Sequence, residues 1–358
     1  MLLALLACSA PADDSGQPPA PYDSPDEVGP WHAGTFESTF LSTTGLELTV
    51  QVWYPTQTSE DALADYDDLF IDTALESPTP DCAAPRPVMM VSHGSGGLRY
   101  QSTYWTEFLA THGWVVVAPD HPYSTFFDED DSKLIEIAMR RPIDIRDSYD
   151  WLLDTAADGR LQGCLDPDAG YAMSGHSFGA YTTLAVTGTV LDLAASVTHC
   201  ETTPDWLCDD LVAWLAEHPD VTEVDGTDPR ATSGIPMAPA GYELLVGGLP
   251  ENTSPMLVWG GTRDTLTPIN TQVRPIYEDL GGQPANLALL TDAGHYNFSN
   301  ACELAPIFED CFPPFLADDV AHPIIRATSL AFLQSLAGET RAAPWLPPDE
   351  PLVTWESR

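Results

Sequence analysis

Short apolar segments alternate with amphipathic segments along most of the chain. Residues 46–54 alternate between apolar and polar side chains, which predicts a strand with one buried face. Wholly apolar runs between turn residues predict strands buried on both faces, at residues 87–92, 114–118, 171–174, 194–197, 255–259 and 286–290. Apolar residues spaced three or four apart predict helices at residues 100–112, 142–157, 178–190, 270–280 and 323–337. This alternation predicts an α/β fold with a mainly parallel sheet flanked by helices.

One segment, residues 199–250, interrupts the alternation. It contains two cysteines, a helical stretch near residues 209–217 and a run rich in glycine and proline. We interpret it as an insertion over the carboxyl edge of the sheet, where ligands bind in open α/β sheets. A lid and a surface excursion without function are both compatible with this pattern. The remainder of residues 31–345 is expected to form one domain, followed by a C-terminal tail at 346–358.

Pro142 is expected to lie in the first turn of the helix predicted at residues 142–157, a position that proline favours.

Composition limits the partners of the chain. Its 358 residues are 44% apolar, enough for a large core, and carry 13 basic against 54 acidic residues, a net charge of −41. Such a chain is repelled by phosphate backbones and by anionic lipid, so nucleic acid is excluded as a partner. We expect any membrane attachment to be made only through the N-terminus.

The N-terminal residues resemble a bacterial lipoprotein signal. Leu5-Leu-Ala-Cys8 resembles the lipobox of such signals, and the resemblance implies that Cys8 carries lipid. Residues 9–30 are rich in proline, serine and aspartate and are expected to be a flexible tether. The expected location is therefore the outer side of a membrane, facing the periplasm or the cell surface. An ordinary signal peptide and a secreted chain are the alternative.

Six further cysteines form an even set, which in an exported chain suggests three disulfides. They are Cys82, Cys164, Cys200, Cys208, Cys302 and Cys311. The two pairs closest in sequence, Cys200 with Cys208 and Cys302 with Cys311, are the natural guesses, which leaves Cys82 with Cys164. A metal site is disfavoured because no Cys-x-x-Cys or His-x-x-x-His spacing is present.

The segment Gly175-His-Ser-Phe-Gly179 lies between a predicted buried strand and a predicted helix. This spacing is typical of a sharp turn that exposes the central serine at the edge of the sheet, beside a helix N-terminus. Ser177 is therefore the candidate nucleophile. A tight glycine turn with an incidental serine is the alternative.

A serine hydroxyl needs a base, and the base needs an acid that orients it. His295 directly follows a predicted strand and is the candidate base, with His121 and His199 as rivals. Asp264 follows the preceding predicted strand and is the candidate acid. Its rivals are Asp205 and Asp209.

An oxyanion formed by attack of the serine needs backbone N–H donors. His93-Gly-Ser-Gly-Gly97 follows the first predicted buried strand, where one such donor belongs. The backbone N–H groups of Phe178 and Ser95 are the candidate donors.

These motifs resemble the α/β-hydrolase superfamily, and within it the bacterial relatives of platelet-activating-factor acetylhydrolase, often described as dienelactone-hydrolase-like. The resemblance rests on Val52-Trp-Tyr-Pro55, Ser92-His-Gly-Ser-Gly-Gly97, Ala118-Pro-Asp-His121, Arg141-Pro-Ile-Asp-Ile145, Gly175-His-Ser-Phe-Gly179, Gly260-Gly-Thr-Arg-Asp264 and Ala293-Gly-His-Tyr296. It implies hydrolysis of carboxylic esters, commonly of short acyl groups, without metal or cofactor. Dienelactone hydrolases use a cysteine nucleophile, so the serine here favours an esterase. The animal acetylhydrolases take their acid from one strand earlier, where Glu201 is the outside candidate.

The sequence therefore predicts an exported serine esterase that acts on short-acyl, lipid or polyester-type esters through an acyl-enzyme. The alternative is a catalytically silent, surface-anchored binding or adhesion lipoprotein on the same fold. Its motivation is the tether, the disulfides and the acidic cluster Asp128-Glu-Asp-Asp131, a candidate Ca²⁺ ligand set.

Overall fold

The chain forms a large α/β structure around one eleven-stranded sheet. The computed structural model describes residues 24–339 and 345–358. The strands are β1 (His32–Leu41), β2 (Glu47–Thr56), β3 (Leu63–Tyr66), β4 (Phe70–Glu76), β5 (Val88–Ser92), β6 (Val115–Pro119), β7 (Tyr171–His176), β8 (Leu191–Asp192), β9 (Glu223–Val224), β10 (Ala231–Met237), β11 (Met256–Gly261), β12 (Ala285–Leu290) and β13 (Val353–Ser357). The helices are α1 (Thr103–Thr111), α2 (Leu134–Asp158), α3 (Phe178–Val186), α4 (Leu193–Thr202), α5 (Cys208–Glu217), α6 (Tyr242–Leu245), α7 (Arg274–Asp279), α8 (Ala301–Leu304) and α9 (Asp318–Leu336).

Six neighbouring strands of the sheet are parallel. The order is β13-β12-β11-β10-β7-β5-β6-β2-β1-β4-β3, and the strands from β12 to β6 all run in one direction. Every residue of β5, β6, β7, β11 and β12 is buried, because helices cover both faces. The chain leaves β5 for β6 on one side and then returns to β7 on the other, which opens a crevice at their carboxyl ends. The predicted α/β class and mainly parallel sheet are confirmed.

The predicted strand at residues 194–197 is wrong, and with it the boundaries of the insertion. Those residues lie in helix α4, whose first turn is capped by the Asp192 carboxylate accepting from the N–H groups of Ala194 and Ala195. The next parallel strand is β10, which lies inside the segment 199–250 that we expected to be an insertion. The excursion from the sheet therefore lies between α3 and β10 and contains α4 and α5.

Two further expectations are corrected at the ends of elements. Helix α2 begins at Leu134, so Pro142 lies inside it, because Ile135, Ile137 and Ala138 bury an additional apolar turn against the core. The expected C-terminal tail 346–358 contains β13, which pairs antiparallel with β12 and extends the sheet.

Three disulfides join the pairs guessed from the sequence. They connect Cys82 to Cys164, Cys200 to Cys208, and Cys302 to Cys311. Disulfides of this number indicate an oxidising compartment outside the cytosol. Cys8, the lipidation candidate, and residues 9–23 of the expected tether lie outside the described residues. Within the described ranges, no helix combines the length and apolarity needed to cross a bilayer.

Candidate active site

Ser177 occupies a strained turn between β7 and α3. Its backbone has φ 58° and ψ −118°, a region that residues with a side chain rarely adopt and that costs about 1–3 kcal/mol. The two flanking glycines permit this geometry. A Cβ on Gly175 would overlap the carbonyl oxygen of Gly179, and a Cβ on Gly179 would overlap that of Ser92. The turn therefore places a partly exposed serine at the carboxyl edge of the sheet, as its motif predicts.

His295 and Asp264 form a buried hydrogen-bonded pair on two neighbouring loops. His295 follows β12, Asp264 follows β11, and the Nδ1–H of His295 donates to Asp264 Oδ2 over 2.8 Å. The side chains of both residues are almost wholly buried, at 6% and 0% exposed. This bond directs the other ring nitrogen, Nε2, away from the carboxylate.

Asp264 is held in its charged form by His295 and by donors on its own loop. Its Oδ1 accepts from the N–H groups of Leu266 and Thr267, and its Oδ2 accepts from the Thr267 hydroxyl. Burial alone would raise the pKa of this carboxyl. The hydrogen bonds from His295 and Thr267 outweigh burial and hold the pKa below its ordinary value of 3.8.

Ser177 and His295 line the same cavity. Its volume is about 640 Å³, and Ser95 and Gly94 form part of its wall. The wall is mostly apolar, with Leu98, Phe126, Trp206, Leu266, Tyr296 and Phe308 among its side chains. Asp205 is the one acidic or basic side chain, histidines aside, among the described residues that line it. The disulfides Cys200–Cys208 and Cys302–Cys311 lie in the two segments that supply Trp206 and Phe308.

Both expected oxyanion donors lie beside Ser177. Phe178 is the first residue of α3, and Ser95 lies in the loop after β5. A Cβ added to Gly94 would contact the Cβ of Ser177 at 3.4 Å, so the two loops touch. Among the residues that the structure describes, no acceptor pairs with the N–H of Phe178 or Ser95. Both N–H groups are therefore unpaired within the described residues, as donors to an oxyanion must be.

Most of the alternative candidates for the base and the acid lie away from Ser177 or make other contacts. His199 and Glu201 are on α4, where the His199 ring lies 5.2 Å from that of Tyr242 and Glu201 is exposed. Asp209 is exposed on α5. Asp205 reaches the cavity wall, where its carboxylate accepts from Gln272 Nε2 over 2.6 Å.

His121 belongs to a second Ser-His-Asp arrangement, which is closed off from solvent. Its Nδ1 lies 2.9 Å from Asp144 Oδ2, and its Nε2 lies 2.8 Å from Ser92 Oγ. All three side chains are buried and none lines the cavity. Both this set and the set of Ser177, His295 and Asp264 contain a serine, a histidine and an aspartate, so residue types alone do not distinguish them. The strained turn and the cavity, which only the second set has, distinguish the two.

His176, the residue before the candidate nucleophile, contacts His295. Its Nε2–H donates to the backbone carbonyl of His295 over 3.0 Å, and its Nδ1 accepts from Gln101 Nε2 over 3.3 Å. Burial, and then the nearby His295, lower the pKa of His176 to about 3, so the ring stays neutral. His176 is thus a structural neighbour of His295 that the motif spacing did not reveal.

The described residues were compared with the ligand groups that hold metal ions in proteins. Within residues 24–339 and 345–358, no group of three or more His, Cys, Asp or Glu side chains is arranged to hold an ion. In the acidic cluster, Asp128 accepts from the N–H groups of Tyr123 and Thr125, and Asp130 accepts from Ser132. These carboxylates serve the turns of their own loop.

Comparison with known proteins adds no family assignment. No protein-family model matches the chain, and no curated protein matches it. The function proposed below therefore rests on the fold and the site.

Proposed function

We propose that the protein is a serine carboxylic-ester hydrolase with an α/β-hydrolase fold. The observation that carries the proposal is the strained Ser177 turn in the same apolar cavity as His295, whose Nδ1–H is hydrogen-bonded to Asp264. The three residues follow three parallel strands in the chain order Ser, Asp, His, which is the order of that fold. An apolar cavity with convergent polar groups is the expected form of a small-molecule site.

The reaction proceeds in two halves. Ser177 Oγ attacks the ester carbonyl while His295 Nε2 takes its proton, and the N–H groups of Phe178 and Ser95 stabilise the oxyanion. His295 then returns the proton to the leaving alcohol, which leaves an acyl group on Ser177. Water, deprotonated by His295, attacks this acyl group, the bond between the acyl carbon and Ser177 Oγ breaks, and His295 returns the proton to Oγ as the acid leaves. Asp264 keeps the proton of the imidazole on Nδ1 and stabilises the imidazolium that forms.

The cavity supports uncharged, apolar esters as the substrate class. Phe126, Leu266 and Ile307 lie at its mouth and are 70%, 57% and 80% exposed, which surrounds the opening with apolar surface. No Lys or Arg is present among the described lining residues to bind an anionic group. Short-acyl esters and lipid or polyester-type esters both satisfy these conditions.

The experiment compares the wild-type chain with Ser177→Ala and with an exposed-serine control, Ser132→Ala, on p-nitrophenyl esters of rising acyl length. Ser132 lies on the surface, in the turn before α2. We expect Ser177→Ala to fold normally and lose hydrolysis, and the control to keep it. Undiminished hydrolysis by Ser177→Ala contradicts the proposal.

We also propose that the enzyme is exported and anchored through lipid on Cys8. The three disulfides support export. The test is metabolic labelling of the expressed chain with radioactive palmitate, which should label the wild type and not Cys8→Ser. A wild-type chain without label, or equal label in Cys8→Ser, contradicts the anchor and leaves the esterase proposal intact.

A further inference from the structure

A buried arginine lies directly behind the oxyanion loop, residues 93–97. Arg141, on α2, has no exposed surface. One of its terminal nitrogens donates to the carbonyl of His93 over 2.6 Å, and the other donates to the carbonyl of Gly94 over 3.1 Å. Its guanidinium also lies 4.8 Å from the centre of the Phe178 ring. Arg141 therefore contacts both segments that supply the oxyanion donors.

These contacts fix the direction of the Ser95 N–H. The Gly94 carbonyl accepts from three donors: Arg141, His93 Nδ1 over 2.7 Å, and the Gly97 N–H over 3.2 Å. The Gly94–Ser95 peptide is trans, so its C=O and N–H groups point in opposite directions. Because the carbonyl points to Arg141, the N–H points away from Arg141. A Cβ added to Gly94 would lie 3.4 Å from the Ser177 Cβ, so this peptide lies next to the candidate nucleophile.

The second Ser-His-Asp arrangement holds this arginine in place. Its serine, Ser92, donates to His121 Nε2 and accepts from Arg141 over 3.3 Å, while His121 donates to Asp144. The backbone N–H of His121 donates to His93 Nε2 over 3.0 Å, which leaves the Nδ1–H of His93 for the Gly94 carbonyl. Burial lowers the pKa values of both histidines well below the ordinary range, so each keeps one fixed tautomer.

We propose that Arg141 is a positioning residue that aims the Ser95 N–H at the reacting oxygen, with Ser92, His121 and Asp144 as its support. The inference rests on the proposed esterase function and extends it to residues outside the cavity. A guanidinium suits this task because its planar fork donates to two neighbouring carbonyls at once, which an ammonium group does not match. The motifs Ala118-Pro-Asp-His121 and Arg141-Pro-Ile-Asp-Ile145 would then share one role, which is to position the oxyanion loop.

The test compares Arg141→Met and Arg141→Lys with the control Arg146→Met, which removes a partly exposed arginine from the same helix. Each variant is measured for kcat and KM on p-nitrophenyl acetate and for its affinity for a trifluoromethyl ketone. The serine adduct of that ketone carries an oxyanion. Loss of one oxyanion donor typically lowers kcat by about 10²–10³.

We expect Arg141→Met to lose about 100-fold in kcat, with KM changed less than about threefold and ketone affinity weakened in parallel. Arg141→Lys should recover part of the loss, and Arg146→Met should match the wild type. A merely structural role lowers the fraction of folded enzyme and leaves the ketone affinity of that fraction unchanged. The folded fraction is therefore measured by thermal unfolding for every variant.

The inference is overturned if Arg141→Met keeps kcat within threefold of the wild type, or loses kcat without losing ketone affinity. If Arg141→Met does not fold, Arg141→Lys decides, because wild-type kcat and ketone affinity in that variant overturn the inference. A wild-type chain that hydrolyses no ester refutes the proposed function instead. If the wild type hydrolyses esters and the Arg141 variants keep its kcat and ketone affinity, only this inference is refuted.

Discussion

Replacing Asp264 with asparagine should reverse the tautomer of His295 while leaving the fold intact. The N–H groups of Leu266 and Thr267 both donate to Oδ1 at 2.8 Å, so the amide oxygen of the asparagine takes that position. Its NH₂ group then replaces Oδ2, which is 2.8 Å from His295 Nδ1. There it donates to Nδ1, and the imidazole proton moves to Nε2.

The new amide finds partners, so the variant should fold. In the wild type, the Thr267 hydroxyl donates to Asp264 Oδ2, and it also lies 3.1 Å from the Ala238 carbonyl oxygen. In Asp264→Asn it donates to Ala238 and accepts from the NH₂ group. His295 Nε2 carries a proton in this state and has no lone pair for the Ser177 proton. A wrong tautomer of this kind costs about 10⁴-fold in kcat, or about 5 kcal/mol in the barrier.

The assay is kcat on p-nitrophenyl acetate for Asp264→Asn, with thermal unfolding as the check on folding. Asp209→Asn is the matched control, since Asp209 is exposed on α5. Activity of Asp264→Asn within tenfold of the wild type refutes the assignment of the acid. An equal loss in Asp205→Asn also refutes it, because that result makes the cavity-wall carboxylate equally important.

Three further predictions follow from the packing and charge of the molecule. Gly179→Ala should prevent folding or abolish hydrolysis, because its Cβ overlaps the Ser92 carbonyl oxygen; wild-type activity and melting temperature contradict this. Burial raises the pKa of Glu107 from 4.5 to about 7, so the stability that Glu107 contributes should fall by about 3 kcal/mol as pH rises through this window. In chemical denaturation, Glu107→Gln should remove this contribution and make the loss of stability with pH less steep, while Asp144, whose pKa burial also raises to about 7, keeps its own contribution. An unchanged pH slope contradicts this. Finally, kcat/KM for p-nitrophenyl butyrate should be at least about tenfold higher than kcat/KM for an anionic ester of similar length. The reason is that the chain has a net charge of −41 and that no described residue lining the cavity is Lys or Arg. Equal values of kcat/KM contradict this.

Local patterns predict most of the parallel sheet but not its fourth strand in chain order. β7 and β11 are short buried runs between turn residues, which is a strong strand signal. β10 contains Gly234 and Pro236, two residue types that weaken strand propensity, and only pairing with β7 and β11 makes it a strand. The short apolar run at 194–197 fits a helix or a strand equally, and the Asp192 cap decides for the helix.

The candidate site is predictable where the sheet itself places the residues. Ser177, Asp264 and His295 each follow a parallel strand, so strand prediction alone brings them to one edge. The contacts of Arg141 and His176 join positions far apart in sequence, 48 residues for Arg141 with His93 and 119 for His176 with His295. No local pattern specifies such contacts, because they depend on how α2 and the loops pack in three dimensions.

Fluorophosphonate labelling of the intact chain, followed by mass spectrometry of its peptides, is the most direct test of Ser177 as the nucleophile. We predict one adduct, on Ser177, formed at a rate that falls sharply in His295→Ala. The buried serine of the second arrangement, Ser92, should remain unlabelled because no solvent reaches it. A folded wild-type chain that takes no label, or takes it on another serine, contradicts the proposed serine esterase.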